Sequence, residues 1–272
     1  MSESILPPKS NTVFQLLFGD PRNIELLADF LKAVIDIPDN EYRNIVIVNP
    51  YLPRDYSDRK LGIVDLRVTT RSGRVIHIEI QRYPVSAMRD RLVYYDSSLI
   101  TGQIGEGEEY KALKHVISIL ITDYELIPES PLYHHRFTLY DPRAAVEFTD
   151  LLEIHTLELS KIPEKADVYL WNWLRFLRAE TREELDMTAS ASPAIQKAVA
   201  RVLKLSKDER ARMIHEYEVR ARRDELARLD DAINAKSIEI ARNMLKRNRP
   251  IAEIAEDTGL SREEIEELHA VR

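Results

Sequence analysis

The chain has 272 residues, 44% of them hydrophobic, enough for one large or two small domains with a real core. It contains no cysteine, which excludes disulfides, thiolate metal sites and thiol nucleophiles. The net charge of −7 and pI near 5.6 speak against a dedicated nucleic-acid coat, but not against an enzyme with an acidic centre and local basic patches.

No stretch approaches the ~18 apolar residues of a membrane helix. The opening MSESILPPKS has no basic region followed by an apolar run, so no signal peptide is expected. These features predict a soluble, cytoplasmic protein. No glycine-rich phosphate loop of either common pattern is present.

Residues 1–10 read as loose. From Asn11 to Ile35 the apolar residues Phe14, Leu17, Phe18, then Leu26, Leu27, Phe30, Leu31 and Val34 recur at helical spacing. Gly19-Asp20-Pro21 divides this run into a short helix and a longer one. Residues 44–48 suit a short strand, and 49–60 a polar, proline-containing loop.

The stretch 61–82, LGIVDLRVTTRSGRVIHIEIQR, reads as a β-hairpin. Residues 62–70 and 74–82 alternate with period two, and Arg71-Ser72-Gly73 supplies the glycine of a tight turn. Even positions carry Val64, Leu66, Val68, Ile76, Ile78 and Ile80. Odd positions carry Asp65, Arg67, Thr69, His77, Glu79 and Gln81.

If the turn has three residues centred on Ser72, residues whose numbers sum to 144 face one another. Asp65 then opposes Glu79, with Cβ atoms about 4.5–5.5 Å apart, and Gln81 lies one pleat along. Two carboxylates so close repel unless a cation lies between them, and Mg²⁺ takes oxygen ligands of this kind. A two-residue turn would instead set Asp65 against Ile80 and turn Glu79 away. An ordinary solvent-facing strand also carries such charges without any chemistry.

Residues 86–102 read as a helix with a stripe of Met88, Leu92, Tyr95 and Leu99, and with Arg89, Arg91, Tyr94 and Ser98 around it. Gly102, Gly105 and Gly107 mark a turn. HVISILIT, 115–122, has the continuous apolar character of a buried central strand. Residues 134–140 and 152–159 are further strands. His134 and His135 are adjacent on a strand, point to opposite faces, and cannot share a metal.

Past Pro163 the chain reads as helical. Residues 166–178 form an apolar helix with Trp171 and Trp173 as core residues, and 181–186 and 193–204 are helices. The charged run 207–247 reads as a solvated or paired helix. The last segment reads as two short helices around Thr258-Gly259-Leu260, with Ser261 and Glu264 forming a capping box. The acids Glu263, Glu264, Glu266 and Glu267 argue against DNA reading by the final helix and for packing or oligomerisation.

The ordered set FQLLFGDPRN, LGIVDLRV, HIEIQR, RDRLVYYDSSLITGQIGEGEEYKAL, HVISILITDYEL and ARNMLKRNRPIAEIAEDTGLSREEIEEL resembles the PD-(D/E)xK nuclease superfamily. Within it, the chain is similar to the recombination-promoting nuclease and transposase family, over nearly its whole length. The resemblance implies an α/β fold: a mixed sheet flanked by helices over 1–162, followed by a helical C-terminal region, 163–272, ending in a helix-turn-helix-like tail.

It implies Mg²⁺- or Mn²⁺-dependent hydrolysis of DNA. Asp65 and Glu79 would be the metal ligands, and Gln81, where the superfamily most often has Lys, would position the water. Asn11 and Gln15 fall where a family member would carry Asp and Lys, and Arg91 and Gln103 lie where site residues are often added. The uncharged residues at 11, 15 and 81 raise a rival: a catalytically degenerate fold serving as a DNA-binding or self-associating module, with the C-terminal helices making a homo-oligomer. RNA is a further possible substrate.

Overall fold

The computed structural model describes residues 5–48 and 66–270. Six strands, β1 (Val46–Ile47), β2 (Leu66–Thr69), β3 (Val75–Gln81), β4 (Val116–Thr122), β5 (His134–Asp141) and β6 (Val146–Glu158), form one mixed sheet in the order β1-β2-β3-β4-β6-β5. β1, β2 and β3 pair antiparallel. β3, β4 and β6 run parallel, and β5 returns antiparallel along the edge. β4 is buried along its whole length, as its nearly continuous apolar run requires.

β2 and β3 are joined as the three-residue turn predicts. Leu66 pairs with Ile78, Arg67 with His77, Val68 with Ile76 and Thr69 with Val75, every pair summing to 144. Thr70 N–H donates to Arg74 O at 2.9 Å and closes the turn. Gly73 sits at φ +89°, a conformation that strains any side-chain-bearing residue. Asp65, the rest of 61–65 and the loop 49–60 lie outside the described residues.

The turn is held from outside by Glu41. Its Oε2 accepts from Thr70 Oγ1 at 2.7 Å, Ser72 Oγ at 2.8 Å and Ser72 N–H at 3.1 Å. These bonds, led by the Thr70 hydroxyl, hold the Glu41 carboxyl down at about 2, against an ordinary value of 4.5. A lowered folded-state pKa gives stability that is present above the unfolded value and lost as pH falls through the folded one. Glu41→Gln should therefore cost about 1 kcal/mol at neutral pH. In thermal melts, its deficit against the wild type should shrink as pH falls from 4.5 towards 2. A deficit that does not change with pH would show that the clamp is not ionic.

Leu66, Val68, Ile76, Ile78 and Ile80 fill one face of the sheet, with Ile117, Ile119, Ile121 and Leu157 from the neighbouring strands. Helices α1 (Asn11–Phe18), α2 (Ile24–Val34), α4 (Tyr169–Arg178) and α6 (Pro193–Lys207) supply most of the helical side chains of this core. Gly19 ends α1, and Asp20 caps the single turn that separates it from α2. Trp173 of α4 is fully buried, its ring centroid 5.8 Å from those of Phe18 and Phe30 and 5.7 Å from that of Phe176. Trp171 is only half-buried, under the Arg175 guanidinium.

Two expectations are corrected. Residues 5–10 are packed rather than loose. Ile5 and Leu6 join the main core, and Lys9 is buried in ion pairs with Asp123 at 2.7 Å and Glu180 at 2.8 Å. β6 begins at Val146, six residues before the expected start, because it pairs with β5 through an irregular stretch around Thr138–Tyr140. Register shifts there break the alternation a sequence pattern relies on.

Contacts divide the chain into Met1–His215 and Glu216–Arg272. α5 (Arg182–Thr188) and α6 lie in the first unit, and α7 (Glu209–Lys246) crosses the division. In the second, Ala241 and Leu245 of α7 form a small core with Ile254 of α8 (Ile251–Thr258), Leu260, and Ile265 of α9 (Arg262–Ala270). Ser261 and Glu264 cap each other reciprocally, and Gly259 takes φ +71°.

Candidate active site

The odd positions of β3 place His77, Glu79 and Gln81 on the face opposite the main core. That face is covered by α3 (Met88–Thr101), whose Met88 and Leu92 pack on Leu120, Leu126 and Ile127. The buried stripe of α3 is Met88, Leu92 and Asp96, not the expected Met88, Leu92, Tyr95 and Leu99. Tyr95 is 39% exposed.

The helix is turned this way because the sheet offers Asp96 polar partners. His77 and Ser118 are neighbours across β3 and β4. The Ser118 hydroxyl donates to Asp96 Oδ1, and His77 Nδ1 lies 3.4 Å from both. A buried carboxylate with these partners costs far less than an unpaired one. The trio is a Ser, a His and an Asp, yet it is not a hydrolase triad. All three are buried, and the hydroxyl donates to the carboxylate instead of the imidazole. It bolts α3 to the sheet. The sequence holds a trace of it: Ser118 interrupts an apolar run, and Asp96 lies four residues past Leu92.

Glu79 is 2% exposed. Its Oε1 is 3.3 Å from Nη2 of Arg91, which reaches across from α3 and lies over the Tyr95 ring with the guanidinium carbon 5.5 Å from the centroid. Tyr124, just past β4, has its phenol pushed up by burial and by the negative charge of Glu79. Gln81 donates its Nε2 to Tyr83 O at 3.0 Å. That bond fixes the amide and leaves its oxygen as an acceptor.

Asn11 opens α1 and Gln15 is buried one turn on. Lys9, just before the helix, pairs with Asp123, whose N–H donates to Gln81 O at 3.2 Å. The start of α1 is thereby held at the same end of the sheet as Gln81. Lys9 went unnoticed in the sequence because a lone Lys in a proline-containing leader carries no pattern. Gln103 is spent elsewhere: its amide bridges the Lys114 backbone, at 2.6 Å to N and 3.0 Å to O, and braces the loop between α3 and β4.

His134 and His135 face opposite sides of the sheet. His134 Nε2 meets His155 Nδ1 at 2.8 Å, while His135 Nδ1 lies 3.7 Å from Glu158 Oε1. Burial and the neighbouring His155 hold His134 down at about 4, so it is neutral. Among the described residues no group of three His, Asp or Glu is arranged to hold a metal ion.

Residues 8–232 match the family described as PD-(D/E)XK nuclease family transposase. No curated protein and no solved structure matches the chain.

Proposed function

Since the chain belongs to the PD-(D/E)XK nuclease family transposases, we propose that it hydrolyses DNA phosphodiester bonds with a divalent metal held between Asp65 and Glu79. The observation that carries this reading is the hairpin register. The described pairs, Leu66–Ile78 through Thr69–Val75, keep the register of the three-residue turn. That is the register in which the sequence pattern sets position 65 against Glu79, and Asp65 itself lies outside the described residues. Glu79 is buried with Arg91 Nη2 at 3.3 Å as a counter-charge. Carboxylate and amide oxygens are the donors that Mg²⁺ and Mn²⁺ prefer, with water completing the set.

The bound metal would supply a water acidic enough to attack and a charge against the developing phosphorane. The chain's own residues do the rest. The Gln81 amide oxygen accepts from the attacking water and aims it, without lending the positive charge a Lys would bring. Arg91 neutralises Glu79 and stands ready for a phosphate oxygen.

A second reading, of a non-catalytic self-associating module, is favoured by one observation. Leu226, Leu229, Ile233 and Ile240 form an exposed stripe at helical spacing on α7. One experiment separates the two. Purified full-length protein should nick plasmid DNA with Mg²⁺ or Mn²⁺, stop with EDTA, and leave RNA intact. No cutting with any metal, from a protein whose mass in solution exceeds one chain, would favour the second.

A further inference from the structure

The flank of α3 that borders Glu79 carries more than a counter-charge. Arg91, Tyr94, Tyr95 and Ser98 follow at i, i+3, i+4 and i+7, and so share one side of the helix. Tyr94 is 70% exposed, and its ring sits 5.8 Å from that of Tyr95, edge to face. Among the described residues, the buried apolar side chains of α3 are Met88 and Leu92, and Tyr94 and Tyr95 join none of the core clusters. Arg91 is incompletely used. Its side chain is 22% exposed, and its Nη2 contact to Glu79 is long at 3.3 Å. Tyr83, two residues past Gln81, is 38% exposed, with the Arg82 guanidinium 5.5 Å from its ring centroid.

The α3 flank and the segment just past β3 thus each present a tyrosine with a guanidinium near its ring. Guanidinium donors with unfilled capacity call for an anionic oxygen. Exposed aromatic faces next to them call for a flat partner. A nucleotide offers both, but only if its base face is free. In a duplex the base faces are stacked on one another and out of reach.

We propose that the Arg91–Tyr94–Tyr95 flank of α3 is a track for unpaired DNA, with the phosphate on Arg91 and the bases stacked on Tyr94 and Tyr95. The substrate class is then a single-stranded or unwound segment leading into the Glu79 site. This rests on the nuclease reading above for why DNA comes there, and the test keeps the two apart.

The test is a titration of full-length protein, in EDTA, with a short single-stranded oligodeoxynucleotide carrying 2-aminopurine, whose fluorescence reports stacking. The matching blunt duplex is titrated alongside. Tyr94→Leu should weaken single-strand binding about tenfold and remove the fluorescence change, as loss of one stacked base does. Tyr94→Trp should restore both, and duplex binding should hardly move.

Equal single-strand affinity in wild type and Tyr94→Leu would overturn the proposal. So would equal losses for single strand and duplex, or no single-strand binding at all. If any of these comes with metal-dependent plasmid nicking, the track is wrong and the nuclease reading stands. If stacking appears as expected but no metal supports cutting, the track stands and the nuclease reading falls.

Discussion

Glu79→Gln is expected to lower metal-dependent DNA cutting about a thousandfold while leaving the fold intact. The substitution keeps the shape and an oxygen for Arg91 at the same place, so the packing under α3 survives. What it removes is the negative charge that binds the metal. Metal stabilisation of transition-state charge is worth several kcal/mol, and each 1.36 kcal/mol is tenfold in rate. Asp65→Asn should do the same. The measurement is the initial rate of plasmid nicking at saturating Mn²⁺, with melting curves showing that both variants fold. Activity within tenfold of the wild type in a folded Glu79→Gln would remove this carboxylate from the chemistry.

Trp173→Ala is expected to be the most damaging change to stability, at about 3–5 kcal/mol. Trp173 is the largest fully buried side chain. It fills the space between Phe18, Phe30 and Phe176, and its Nε1–H donates to Asp29 Oδ1 at 2.8 Å. Removing it opens a cavity where α1, α2 and α4 meet and takes a donor from Asp29, which also accepts from the Tyr169 hydroxyl. Urea unfolding followed by circular dichroism gives the number. A loss below about 1 kcal/mol would mean that the aromatic cluster collapses onto the gap instead of supporting the core.

The parts of this fold that were legible are those where one periodicity rules. The α1–α2 break at Gly19-Asp20-Pro21, the buried run of β4 and the Ser261 capping box each follow from a local pattern, whereas the hairpin pattern allows two registers, of which the pairing takes that of the three-residue turn. Misread segments are those decided by partners distant in sequence. Ile5, Leu6 and Lys9 look like a loose leader until the core, Asp123 and Glu180 are in place. The rotation of α3 is set by Asp96 finding Ser118 and His77, and nothing in its own fourteen residues outweighs the Met-Leu-Tyr-Leu stripe.

The candidate site divides the same way. Glu79 and Gln81 are identified by alternation and by resemblance. The Arg91 contact to Glu79 needed the helix placed. Gln103, which the resemblance places among added site residues, has its amide hydrogen-bonded to the Lys114 backbone.

The central claim is that Asp65 and Glu79 share one divalent ion. It is tested most directly by titrating Mn²⁺ into the DNA-free protein and following the free ion by electron paramagnetic resonance. The account predicts one site in the wild type that is lost in Asp65→Asn and lost equally in Glu79→Gln. Retention of the site in either folded variant would contradict it.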